Sequence, residues 1–203
     1  LIQPYPQQAV YFQDEMRFGT RTELKRRWTP QGHRPKTPVR IGYQFYYLYA
    51  AVCPFTGRAF AMLLPQINKE CFGLFVQQFE QHLAEQHLAE QHLAEQHLAE
   101  QHLAEQHLAD KQAALLIVDR ASIHQAALTE GTCITLAQLP TACPELNPVE
   151  RFFKQMRAQL ANTIFDSLEQ AQQKVTQVFK QITQSTQNMI RLTLFPYIQN
   201  TYT

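Results

Sequence analysis

Apolar residues fall into short β-branched and aromatic runs through much of the chain and into helical spacing in its last third. Residues 8 to 21 read as a strand that carries Asp14. The segment from Thr22 to Pro38 is polar and broken by Pro and Gly, which predicts a connection. Ile41 to Val52, a turn at Pro54-Phe55-Thr56-Gly57, and Arg58 to Leu64 predict an antiparallel hairpin. A helix is expected from Asn68, whose side chain can cap it, with Cys71, Leu74, Phe75, Gln78 and Phe79 on its mixed apolar face. Two more strands are expected, at Ala113 to Asp119 and Cys133 to Leu139, joined by a polar, Ala-rich segment around Ser122 to Thr129. Asn147 and Pro148 signal a helix start, with Val149, Phe152, Phe153, Met156 and Leu160 turned inward. A last amphipathic helix is expected from Asp166, with Glu169 completing a capping box and Leu168, Ala171, Val175, Val178, Phe179 and Ile182 buried. The aromatic tail from Leu192 to Thr203 reads as irregular and available for docking.

A different pattern occupies Gln81 to Asp110, where Gln-His-Leu-Ala-Glu occurs five times and closes as Gln-His-Leu-Ala-Asp. Every residue type in it favours or tolerates helix. A five-residue step turns a helix by roughly 500°, so successive leucines are displaced by about 140°. Leu83, Leu88, Leu93, Leu98, Leu103 and Leu108 therefore spiral and make no continuous apolar seam. His82, His87, His92, His97, His102 and His107 disperse in the same way and offer no aligned metal pair. A straight helix of this length would carry the chain about 45 Å from the strand that follows, so the path must return by a break, a disordered stretch or a swap between protomers. The repeat is expected to be a tandem expansion inserted into a once shorter helix.

At 203 residues and 45% apolar content the chain can bury one substantial core, which favours a single domain. No run approaches the roughly 20 apolar residues of a membrane span, so a cytoplasmic protein is expected. Cys53, Cys71, Cys133 and Cys143 show no ligand or disulfide spacing and read as reduced. The first residue is Leu1, which is expected of a fragment. Net charge is +1, but seven of the 17 acids lie in residues 80–110, which hold no Lys or Arg. The remainder has 18 basic and ten acidic residues and is clearly basic. Arg17, Arg21, Lys25, Arg26, Arg27, Arg34, Lys36 and Arg40, with Trp28 and His33 interleaved, form either a phosphate-contacting strip or a solvated hairpin.

Three acids stand at element ends: Asp14, with Glu15 beside it, Asp119 after Leu115-Leu116-Ile117-Val118, and Glu150 in a first helical turn. Each has a plain structural reading. Asp14 and Glu15 could be a solvated pair, Asp119 a turn cap, and Glu150 a capping-box partner of Asn147. The order strand, hairpin, helix, strand, strand, helix is that of an α/β, ribonuclease-H-like domain, a mixed sheet flanked by helices. Convergent carboxylates are the hard oxygen ligands that hold two divalent ions about 4 Å apart around a phosphodiester.

Asp14-Glu15 with Arg17-Phe18-Gly19 resembles the first acidic motif of DDE transposases on the mariner side of that superfamily, in particular the bacterial branch of insertion sequence family 630. Trp28-Thr29-Pro30-Gln31-Gly32-His33-Arg34-Pro35 is similar to the polar hairpin loop of that branch, and Asp119-Arg120-Ala121-Ser122-Ile123-His124 to its second acid with a downstream histidine. Pro144-Glu145-Leu146-Asn147-Pro148-Val149-Glu150-Arg151-Phe152-Phe153-Lys154 is close to its third motif. The resemblance covers most of residues 10 to 160. It differs at Arg120, where the family often has Asn, and in a slightly short Asp119 to Glu150 spacing.

The resemblance implies that Asp14, Asp119 and Glu150 are a catalytic triad binding two Mg²⁺ or Mn²⁺ ions, with Glu15, His124 and Asn147 as supporting neighbours. It implies cleavage of element-end DNA by activated water and attack of the freed 3′-hydroxyl on target DNA. Implied partners are double-stranded DNA, further copies of the chain, and a separate helix-turn-helix segment for end recognition, which has no counterpart in residues 1–203. A bacterial, nucleoid-associated location follows from the same resemblance. The competing expectation is an inactive transposase remnant that only binds DNA or oligomerises.

Overall fold

In the computed structural model residues 5–98 and 113–201 are described. The first strand, β1 (Val10–Gly19), lies at the centre of a five-stranded sheet. β2 (Phe45–Val52) pairs antiparallel with β1, and β3 (Ala59–Leu64) antiparallel with β2. On the other side β4 (Ala114–Val118) runs parallel to β1, and β5 (Ile134–Gln138) parallel to β4. The order is β3-β2-β1-β4-β5, a mixed sheet of the ribonuclease-H-like kind. A short link suffices for the β2–β3 hairpin. A parallel return from β3 to β4 needs a crossover, supplied by α1 (Lys69–Leu98).

Alternation along β1 sends its side chains to two cores. Val10, Phe12, Met16 and Phe18 join Leu115 and Ile117 against α2 (Val149–Leu160) and α3 (Leu168–Thr183). Tyr11 joins Leu116 and Val118 against Phe72, Phe75, Val76 and Phe79 of α1. Fully buried Phe152 and Phe153 each contribute about 1.5–3 kcal/mol relative to exposure. The chain ends in α4 (Thr186–Thr193) and α5 (Pro196–Gln199), and Tyr197 Oη donates to the Leu146 carbonyl at 2.7 Å. Among the described residues no helix is long and apolar enough to cross a membrane.

The expected elements appear in the expected order, with local differences. The first expected hairpin strand begins at Phe45 rather than Ile41, because Ile41 and Tyr43 lie on an exposed stem outside the sheet. On α1, Leu74 is exposed and Gln78 lies outward, while Phe72 and Val76 complete the buried stripe. Their i, i+3, i+4, i+7 spacing with Phe75 and Phe79 is the more continuous apolar face. The cap of α3 is Ser167, whose Oγ accepts from Gln170 N, while Asp166 instead pairs with Arg40 at 3.3 Å. Leu168 is only half buried as a result. The tail is helical in part, since α5 buries Ile198.

Packing on α1 weakens as the repeat begins. Phe79 is buried, His82 lies against the Phe60 ring at 5.0 Å, and Leu83 is partly covered, but Leu88 is exposed. Residues 99–112 lie outside the described residues, so the expectations for His102, His107, Leu103 and Leu108 fall outside them too, as do those for the side chains of His92, His97, Leu93 and Leu98. Deleting four of the six copies should change stability by less than about 1 kcal/mol, a shift of about 2–4 °C in Tm by thermal denaturation. Loss of the cooperative transition would show that the repeat is required for folding.

Candidate active site

Register places the first two acids. Phe12 aligns with Ile117 across the parallel β1–β4 pair, and continuing that register by two residues sets Asp14 beside Asp119 on the same face. Asp14 Oδ1 accepts from Glu15 N at 2.8 Å, and Asp119 Oδ1 from Ala121 N at 2.9 Å. Buried Asn147 brings the third acid. Its Nδ2 donates to the Gln13 carbonyl at 3.0 Å while its Oδ1 accepts from Val149 N at 3.1 Å, which fastens the start of α2 to β1 next to Asp14. Pro148 has helical backbone angles, so Asn147 acts as the cap.

Asn147 N donates to the Pro144 carbonyl at 2.9 Å, which leaves Glu150 no capping-box role. Its Oε2 lies 3.7 Å from Arg157 Nη1. Asp14, Asp119 and Glu150 line one cleft of about 380 Å³ with Arg120, whose Nε donates to the Leu139 carbonyl at 3.1 Å. Among the described residues no three His, Cys, Asp or Glu side chains gather closely enough to form a ready metal cage. The three acids share the cleft without forming such a group. Burial pushes the Asp14 carboxyl up to about 7, opposed by the Glu15 backbone hydrogen bond and reinforced by the charges of Glu15, Glu150 and Asp119. An all-carboxylate donor set of this kind suits a hard divalent cation such as Mg²⁺ or Mn²⁺.

Behind Asp119 lies a buried polar chain. The His124 side chain is 1% exposed and the Glu15 side chain 7%. His124 Nε2 lies 3.2 Å from Glu15 Oε1, and its Nδ1 lies 2.7 Å from Asp119 Oδ1. Gln13 Nε2 donates to the same Glu15 oxygen at 2.8 Å, and the Phe72 ring packs on the imidazole at 4.6 Å. Burial acts to lower the His124 pKa, but the Glu15 hydrogen bond and the charges of Glu15 and Asp119 outweigh it and raise the pKa. Nε2 faces the Glu15 carboxylate, and Nδ1 faces both Asp119 Oδ1 and, at 3.2 Å, the Asp119 main-chain carbonyl, so acceptors stand at both ring nitrogens. Sequence reasoning named Glu15 and His124 without joining them, and it missed Gln13 and Arg157. A polar residue two positions before an acid on a strand carries no signal until the facing histidine is known.

The basic strip forms an arm over residues 20–44 that contains no helix or strand. Thr22 N donates to the Arg40 carbonyl at 3.1 Å and Arg40 N to Thr22 Oγ1 at 3.0 Å, closing the stem. A Cβ at Gly42 would run into Thr20, so the two sides of the stem approach closely only with glycine there. Asn162, at φ 59°, ties the arm to the end of α2 through Lys25 and Glu23. The eight cations and Trp28 are exposed. Arg17 stacks on Phe45 at 4.6 Å, and Arg40 donates to the Phe165 carbonyl and Asp166, so Arg40 also anchors the arm. Between the arm base and α2 runs a groove of about 610 Å³ lined by Lys25, Arg151, Lys154 and Arg157, and Glu150 and Asn147 border both it and the acidic cleft.

Residues 9–172 match the family described as DDE superfamily endonuclease. An uncharacterized protein of Sinorhizobium fredii, y4pE/y4sA, is 32% identical over 121 residues, covering 59% of this chain and 71% of that protein. Among solved structures, the Mos1 mariner paired end complex with Mn superposes with a TM-score of 0.65 at 15% identity, over 97% of this chain and 54% of that one. The Mos1 strand transfer complex gives 0.58 at 15% identity, over 96% and 52%, and the paired end complex with Mg 0.55 at 17% identity, over 97% and 54%. The chain thus spans about half the length of the Mos1 chains it matches. With a mixed sheet, three acids on one cleft and a family match over residues 9–172, this chain belongs to the DDE superfamily endonucleases and has the fold of the mariner-like DDE transposase catalytic domain.

Proposed function

We propose that this domain cleaves DNA at the ends of an insertion sequence and joins the freed 3′-hydroxyl to target DNA, with Asp14, Asp119 and Glu150 holding two divalent ions. The observation that carries this reading is the meeting of the three acids in one cleft of a DDE-family domain. Bound divalent ions would lower the pKa of the attacking water or hydroxyl and stabilise charge on the leaving oxygen. Asp14 and Asp119 each turn one oxygen into a backbone hydrogen bond, which fixes the carboxylate plane and leaves Oδ2 for the cleft. Glu150 projects from a helix start fixed by Asn147, so its distance from the strand acids is set by the backbone. Arg120, rooted on the Leu139 carbonyl, puts a cation at the wall where a phosphate would enter.

Exposed cations on the arm would contact phosphates without reading bases. The Mos1 complexes are described as paired-end and strand-transfer assemblies, and by likeness we assign this chain duplex DNA at element ends and pairing with further copies of itself, with a separate helix-turn-helix subunit as the proposed source of end specificity. Trp28, fully exposed at the arm, supplies a flat apolar surface for such an assembly.

An element-end duplex incubated with Mg²⁺ or Mn²⁺ should be nicked by the wild type, and Asp14→Asn, Asp119→Asn or Glu150→Gln should each slow strand cleavage by about 10³-fold or more, a loss of about 4 kcal/mol. Wild-type rates in Asp119→Asn would leave a DNA-binding remnant as the reading.

The raised Asp14 pKa sets a sign for stability without metal. The folded state keeps the proton that the unfolded chain releases near its ordinary value of 3.8, so the Asp14 contribution is full below that pH and is lost as pH rises through about 7. In a chelator, Tm should fall between pH 5 and 8. Asp14→Asn should raise Tm at pH 8 by about 4 °C or more and flatten that decline.

Replacing Arg26, Arg27, Arg34 and Lys36 together by Gln should lower the slope of log affinity against log salt by up to about 0.9 for each phosphate left without its cation. Titration of a labelled duplex by anisotropy gives that slope, and an unchanged value would remove the arm from the DNA path.

A further inference from the structure

Asp119 is a half-exposed carboxylate, with a side chain 56% exposed, just beyond the end of β4. Such a side chain would ordinarily sample several rotamers. Here its Oδ1 accepts from Ala121 N at 2.9 Å and lies 2.7 Å from His124 Nδ1, which also reaches the Asp119 main-chain carbonyl at 3.2 Å. The imidazole is in turn held by Glu15 Oε1 at 3.2 Å, by the Phe72 ring and by a turn in which His124 N donates to the Ala121 carbonyl at 3.0 Å. Glu15 is itself fixed by Gln13.

We infer that Glu15 and His124 are positioning residues of the metal site, a buried strut that turns Asp119 Oδ1 to the protein and presents Oδ2 alone to a divalent cation. The inference rests on the reading of Asp119 as a metal ligand. A buried charged pair repays its desolvation poorly, and well-packed apolar residues in its place are often neutral or stabilising. The Gln13 side chain shows the same priority, since its Nε2 serves Glu15 while its buried Oε1 has no partner. Polar groups held at such expense act on the one exposed group they reach, which is Asp119. Ligating carboxylates are commonly oriented by outer partners in this way, and loss of such partners weakens metal binding by about 10–100-fold.

The strut also explains why the two aspartates differ. Asp14 lies within β1 and a strand backbone orients it. Asp119 lies past its strand, and beside the Ala121 N–H it has the His124 ring as a second contact on the same oxygen.

Removing one member alone would strand the other charge in the core, so the variant of choice replaces both: Glu15→Leu with His124→Leu. The probe is Mn²⁺, titrated into DNA-free protein and followed by electron paramagnetic resonance of the free ion. The double variant should keep a cooperative thermal transition within a few degrees of wild type and bind Mn²⁺ about 10–100-fold more weakly. Glu15→Gln, which keeps an acceptor for His124 Nε2, should recover most of that affinity. Wild-type Mn²⁺ affinity in the folded double variant would overturn the strut while leaving the metal reading intact if Asp119→Asn still loses binding. Wild-type affinity in Asp119→Asn would overturn both. A second measurement needs no variant: the His124 Nδ1 proton resonance of the wild type should shift as Mg²⁺ is added, and an unmoved signal at saturation would overturn the inference.

Discussion

Parallel pairing of β1 with β4 is the constraint on which the rest of this domain depends. Three residue pairs set the register, Val10 with Leu115, Tyr11 with Leu116 and Phe12 with Ile117, and a slip by one residue would turn every side chain to the other face. Slippage is prevented because both faces are buried: Phe12 and Ile117 in one core, Tyr11 and Leu116 in the other. The same register carries Asp14 to the level of Asp119. The apolar core thereby fixes the level at which two carboxylates stand at its rim.

Bringing acids together opposes that packing, and the domain manages the opposition by direction. Asp14, Asp119 and Glu150 open into a cleft where a cation can approach. Glu15, next to Asp14 in sequence, points to the opposite face and meets His124. Alternation along a strand thus turns the two adjacent carboxylates to opposite faces, although the Glu15 charge still acts on Asp14. Asn147 completes the scheme from the α2 side with two hydrogen bonds, one to β1 and one to its own helix.

Much of this was legible in the chain because it is local. Strand order follows from the apolar runs, and the Asn147-Pro148 helix start was readable from turn chemistry alone. The role of Glu150 was not, since cap and ligand use the same side chain. The Asn147 backbone N–H, already occupied by the Pro144 carbonyl, removes the capping-box role and goes no further. The α3 cap moved from Asp166 to Ser167 for a similar reason: Arg40, more than a hundred residues earlier, takes the aspartate. The repeat signals helix plainly, but its period hides where packing stops. Leu83 is still covered and Leu88 is not, a difference set by the edge of the sheet rather than by identical sequence.

The basic arm gains meaning from where it is tied. A solvated hairpin would need no contact beyond its stem, yet Asn162 holds it at Lys25 and Glu23, and Arg40 holds it at Phe165 and Asp166. Both ties lie on the connection between α2 and α3. They set the arm base against the exposed face of α2, where Arg151, Lys154 and Arg157 lead toward Glu150. Under the proposed function, a phosphate backbone drawn to these cations would be led toward the cleft that Asp14, Asp119 and Glu150 line. On that reading, a DNA strand would settle beside the three acids only together with cations that neutralise both.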